Sequence, residues 1–100
     1  MRRAQKNDLW LHVRGAPGSH VIVPLRDGRE PTPAVIEGAA AIAARFSSLS
    51  AQPRVPVDYT RVRHVHKPQG AKPGMVIYDH YRTAFVTPSA ELTQRLAENP

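Results

Sequence analysis

Residues 8–21 (DLWLHVRGAPGSHV) constrain the fold of this chain more than any other stretch. Leu9, Leu11 and Val13 alternate with Trp10, His12 and Arg14, the period-2 pattern of a strand with two different faces. Residues 19–24 (SHVIVP) predict a second strand, rich in β-branched residues and closed by proline. Between them, Pro17-Gly18 fits a type II turn, in which proline presets φ and glycine takes a positive φ. That turn is not the favoured two-residue hairpin link, so residues 15–18 are read as a wider loop. The short side chains of Gly15, Ala16, Gly18 and Ser19 would leave backbone N–H groups open to an anion such as phosphate. The same residues also suit an ordinary tight turn with no ligand.

The remaining pattern predicts an α+β fold. Thr32-Pro33 opens a helix as N-cap and first helical residue. Val35, Ala39, Ile42, Phe46 and Leu49 then form one apolar stripe, widened by Ile36 and Ala43. The Ala39-Ala40-Ala41 run allows close approach to a sheet, and the Gln52-Pro53 step ends the helical stretch. Residues 55–65 read as a long strand whose alternation slips near residues 61–64, which predicts a bulge or strong twist there. A basic loop at 67–74 carries four Pro/Gly positions. Residues 75–78 and 84–87 predict a final hairpin, and Ser89 caps a short C-terminal helix. Together these give a mostly antiparallel, twisted sheet of about five strands packed by one main helix, plus the short C-terminal helix. One hundred residues make a single small domain, 1–100.

Charge narrows the function classes. Fourteen Lys/Arg against eight Asp/Glu leave a net +6, which favours polyanionic partners, nucleic acid above all. Arg61, Arg63, Lys67 and Lys72 occupy a stretch with no acid between Asp58 and Asp79, and His64 and His66 are interleaved with them. Arg2, Arg3 and Lys6 form a second cluster. A solvated basic face is the plainer alternative. No apolar run is long enough to span a bilayer, and no apolar stretch follows Met1-Arg2-Arg3 as an export signal would require. Zero cysteines exclude disulfides and thiolate zinc sites.

Catalysis is not expected. Ser19 and His20 are adjacent on a strand and so face opposite ways, which suits neither nucleophile nor base. Neither GxxxxGK nor GxGxxG occurs. His64 and His66 form an HxH pair, but Arg63 and Lys67 beside them oppose a divalent cation, so no metal site and no cofactor are expected.

Residues 8–13 followed by 17–21 resemble the central signature of the NFACT-R domain, the C-terminal module of bacterial fibronectin-binding-like and ribosome quality-control proteins. Ala39-Ala40, Ala43 and Ser47-Ser48 continue the resemblance, as do residues 57–60 with Val62 and Val65, the Lys67-Pro68 step, residues 72–76, Thr83 and residues 86–88. The match runs over nearly the whole chain. Family members carry a further strand ahead of the signature, so the chain is expected to be the C-terminal piece of a longer protein, with a shortened stand-alone copy as the alternative. The resemblance implies an RNA-contacting module. It also implies a parent that would bind obstructed large ribosomal subunits and alanyl-tRNA and extend stalled nascent chains with alanine. Partners would be tRNA or large-subunit rRNA and the rest of the parent chain, with no membrane, in the cytoplasm. The alternative is a protein-docking module, adhesin-like or bound to a ribosomal protein.

On this reading Arg14, Arg61, Arg63, Lys67 and Lys72 meet phosphates, with His64 among them. The backbone amides of Gly18 and Ser19 take one more phosphate. Trp10 and His20 are candidates for base or ribose contacts. Trp10 equally fits the core of a strand, and His12 and His20 equally fit structural hydrogen bonds to the loop.

Overall fold

The computed structural model describes residues 4–25, 29–70 and 76–88. Four antiparallel strands form the main sheet in the order β2-β1-β3-β6: β1 Leu9–Val13, β2 Val21–Val23, β3 Val55–Arg61 and β6 Arg82–Val86. A helix, α1 Pro33–Arg45, packs on one face. A short 3-10 helix at Val62–His64 follows β3, and β4 (Val65–His66) pairs with β5 (Ile77–Tyr78) in a separate two-stranded ribbon. Lys72, much of the basic loop and the expected C-terminal helix lie outside the described residues.

The period-2 reading of β1 holds on both faces. Leu9, Leu11 and Val13 are buried with Val55, Val57 and Val86 beneath α1. Each such side chain contributes roughly 1.5–3 kcal/mol by leaving water. Thr32 caps α1 as predicted, its Oγ1 accepting from the Val35 N–H at 3.2 Å, and Pro33 takes the first helical position.

The buried side of the helix differs from the predicted stripe. Ala39, Ala40, Ala43 and Ala44 face the sheet with Ile36 beside them, whereas Val35 and Phe46 are exposed. Methyl groups let the helix axis approach the strands closely, so the small residues take the interface and the larger ones are turned outward.

Two further expectations are corrected. The strand read as 55–65 ends at Arg61, and a 3-10 turn, not a bulge, produces the slipped alternation. Nor do the last two strands form a hairpin. β5 pairs with β4, while β6 pairs with β3, in the register Val55↔Val86 to Tyr59↔Arg82. Between them the chain bends at His80, whose φ of 50° is left-handed, and stays antiparallel to the β3–β4 stretch throughout. The Thr60 hydroxyl holds that turn, 3.1 and 3.2 Å from the Asp79 and His80 carbonyl oxygens.

The loop after β1 is also built differently. Gly15, at φ 69°, supplies the left-handed residue; Gly18 does not. Gly18 is needed instead for close approach, because a Cβ there would stand 2.9 Å from the Ser47 Cβ. Residues 17–19 run against the end of α1, with Ser48 N–H donating to the Pro17 oxygen at 3.0 Å.

Candidate nucleic-acid interface

The two faces of the sheet sort the candidate residues. On the face away from α1, Asp58 is 1% exposed and accepts from the Tyr78 hydroxyl at 2.5 Å and the Thr83 hydroxyl at 2.7 Å. Arg14 Nε lies 3.2 Å from the same carboxylate, and its Nη2 donates to Thr83 Oγ1 at 2.9 Å. Hydrogen bonding to Asp58, then its charge, raises the Arg14 pKa. Burial, then the bond to Asp58, pushes the Tyr78 phenol well above its usual range. The Arg14 guanidinium also sits 5.4 Å from the Tyr81 ring centre. Arg14 thus neutralises a buried carboxylate, and part of its donor fork is committed before any phosphate arrives.

Trp10 belongs to this face and is 2% exposed. Its ring stacks on His12 at 5.9 Å, meets His20 edge-on at 5.3 Å and touches Tyr78 at 4.7 Å. A base cannot stack on a ring already enclosed, so the core reading of Trp10 replaces the ligand reading. The Trp10 indole N–H donates to His20 Nδ1 at 3.1 Å, which fixes His20 as the neutral tautomer protonated on Nε2. Burial, then the neighbouring His12, lowers the His20 pKa. His12 Nε2 donates to the Gly18 oxygen at 3.3 Å. Both histidines therefore tie the β1–β2 loop to the aromatic cluster. Ser19 N–H donates to the Phe46 oxygen at 3.4 Å, so one of the two amides expected to take a phosphate already has a partner.

The other basic residues gather at the opposite end of β1 and β3. Arg61 points to the helix face, 20% exposed, with Nη2 2.6 Å from the Glu30 carboxylate and Nη1 2.8 Å from the Asn7 oxygen. The Glu30 partner is largely exposed, and surface pairs of this kind hold weakly, by about 0–1 kcal/mol. Arg63, exposed on the 3-10 helix, donates to Asn7 Oδ1, and its N–H bonds to the Lys6 oxygen. Lys67 follows β4 and is exposed. Arg14 stands about five residues along the strand from this group, roughly 16 Å away, and on the other face.

Sequence reading missed the arginine that completes the group. Arg82 lies opposite Tyr59 in the β3–β6 register, and Arg61 is its diagonal neighbour, about 7–8 Å away on the same face. Arg61, Arg82, His64, His80, Tyr59 and Glu30 line an open cavity of about 340 Å³ between this end of the sheet and the segment leading into α1. The signal for Arg82 lay only in the pairing of β6 with β3, which the expected hairpin had assigned elsewhere.

Among the described residues, no helix is long and apolar enough to cross a membrane.

No family model matches the chain. It is 48% identical over 98 residues to the Rqc2 homolog RqcH of Bacillus subtilis (strain 168), which covers 98% of this chain and 17% of that protein. The RqcH of Streptococcus suis (strain 05ZYH33) is 39% identical over 90 residues, or 90% of this chain and 16% of that protein. The chain therefore spans about one sixth of the length of these relatives. The solved C-terminal part of the fibronectin/fibrinogen-binding protein from Streptococcus suis matches with a TM-score of 0.83 at 38% identity, over 92% of this chain and 36% of that one. Signature, fold and relatives agree: the chain belongs to the NFACT-R family, as the module carried by the RqcH ribosome quality-control proteins.

Proposed function

We propose that this domain is the RNA-contacting module of a cytoplasmic ribosome quality-control factor, and that it grips the phosphate backbone of tRNA or large-subunit rRNA. The observation that carries this reading is the cavity in which Arg61 and Arg82 converge with His64, His80 and Tyr59, in a chain of net charge +6. Arg63, Lys6 and Lys67 extend the positive field around it. Phosphate attracts all of these, and the weak surface pair of Arg61 with the exposed Glu30 carboxylate can be exchanged for the closely spaced charges of a nucleic-acid backbone. The domain has no chemistry of its own to perform in this reading. Recruitment of alanyl-tRNA and alanine tailing of the stalled chain belong to the parent protein, which this module helps to seat on the obstructed subunit.

Binding of the 100-residue chain to tRNA and to isolated large subunits, titrated across salt, tests the proposal. Saturable binding whose log affinity falls with log salt at a slope of about −3 to −4 is the expected result for some four phosphate contacts. A folded domain that binds neither partner would refute it.

Protein docking is the second reading, and one observation favours it. Val21, Ile22, Val23, Val35 and Ile42 line an apolar groove between edge strand β2 and α1, in which Ile22 and Val35 are exposed. Salt-insensitive capture of a ribosomal protein with no RNA affinity is the result that would select it.

A further inference from the structure

A histidine cluster stands at the turn between β5 and β6. His64 ends the 3-10 helix, and Asp79 and His80 form the turn that leads into β6. One ligand atom from each of the three lies within 4.8 Å of the other two. His64 Nδ1 is 3.3 Å from Asp79 Oδ1, and the His64 and His80 rings are 4.6 Å apart, tilted by 48°. His66, on β4, brings its Nε2 to 3.8 Å from the second Asp79 oxygen.

The backbone fixes this grouping. Asp79 N–H donates to the His64 oxygen at 3.1 Å, and Val65 pairs with Tyr78 just inside it. The left-handed φ of His80, a conformation seldom adopted by residues with a Cβ, lies at the point where its ring meets His64. Two imidazoles and a carboxylate suit zinc, nickel or copper far better than calcium or magnesium. Tetrahedral bonds of about 2.0–2.2 Å place ligand atoms roughly 3.3–3.5 Å apart, the separation His64 and Asp79 already have. The sequence argument against a metal was the charge of Arg63 and Lys67. The Arg63 guanidinium is held on Asn7, and the Asp79 carboxylate at the site offsets part of this positive charge.

We propose that His64, Asp79 and His80 form a binding site for a divalent transition metal, with solvent completing the coordination. The site is distinct from the HxH pair visible in the sequence, because its core joins His64 to the distant turn. His64 and His80 also line the arginine cavity, so the site shares that wall, but it rests on the ligand geometry and not on whether the cavity binds RNA.

Calorimetric titration of the 100-residue chain with zinc and nickel chlorides, alongside the visible spectrum of the cobalt(II) form, tests the site. One ion per chain is expected, with cobalt bands of imidazole and carboxylate ligation and no competition from magnesium. His80→Gly suits the left-handed turn and removes only the ring, so it should preserve the fold and weaken binding by at least ~10-fold. His64→Gln should weaken it similarly, and His20→Ala, in the aromatic cluster, should leave it unchanged. Absence of saturable binding, or binding that survives His80→Gly, would overturn the proposal.

Discussion

The two faces of the main sheet are held by different physics. Beneath α1, Leu9, Leu11, Val13, Val55 and Val57 meet alanines in a contact that depends on shape and on the removal of apolar surface from water. On the far face the same strands carry Trp10 and Asp58 against Tyr78, Thr83 on Asp58, and Thr60 on the Asp79 carbonyl, where named donors meet named acceptors. The first face tolerates substitution by residues of similar volume; the second does not, because every buried polar atom in it has a specific partner. Among the described residues no buried side-chain nitrogen or oxygen lacks one.

Removing the hub of the polar face should therefore have the largest effect. Asp58→Ala removes the acceptor of the Tyr78 and Thr83 hydroxyls, and chemical denaturation should show a loss of about 1.5–3 kcal/mol. A loss below ~1 kcal/mol would mean that the network adds little and that the apolar face alone holds the fold. On the other face, Ala44→Leu forces a larger side chain between helix and sheet where the alanine is fully buried. We expect it to destabilise by about 1–3 kcal/mol, whereas the exposed Val35→Leu should be near neutral.

The smallest effect sharpens the contrast through pH. His20 has a folded pKa below its ordinary 6.5, because burial and His12 disfavour its charged form. The unfolded chain binds the proton more readily, so stability is fully present above pH 6.5 and falls as pH drops from there towards the folded pKa. A Tm series from pH 7.5 to 5 should show this decline, and His20→Gln should flatten it. Stability unchanged across that range would show that the bond from Trp10 to His20 does not depend on His20 being neutral.

The same division explains what was legible in the sequence. Period-2 alternation placed both faces of β1, and the Thr32-Pro33 step placed the start of α1, because both signals are local. The helix face was misread at Val35 and Phe46, since large apolar residues dominate a pattern while close packing selects the small ones. The pairing of β6 with β3 was hidden because it joins strands 20 or more residues apart, and with it Arg82 was missed. Trp10 could be read as core or ligand from sequence, and only the histidines and Tyr78 around its ring decide for the core.

In the proposed function, the location of the arginines rather than the total charge would carry RNA binding. The most direct measurement compares the salt dependence of tRNA binding in two double variants of equal charge. Arg61→Ala/Arg82→Ala empties the cavity of its guanidinium groups. Arg45→Ala/Arg54→Ala removes two arginines from the other end of the sheet, where they lie over Phe46 and Phe85. The account predicts that the first pair reduces the slope of log affinity against log salt by about 1.4–1.8 and that the second leaves it nearly unchanged. Equal changes in both would contradict it, reducing the cavity to one part of a diffuse positive surface.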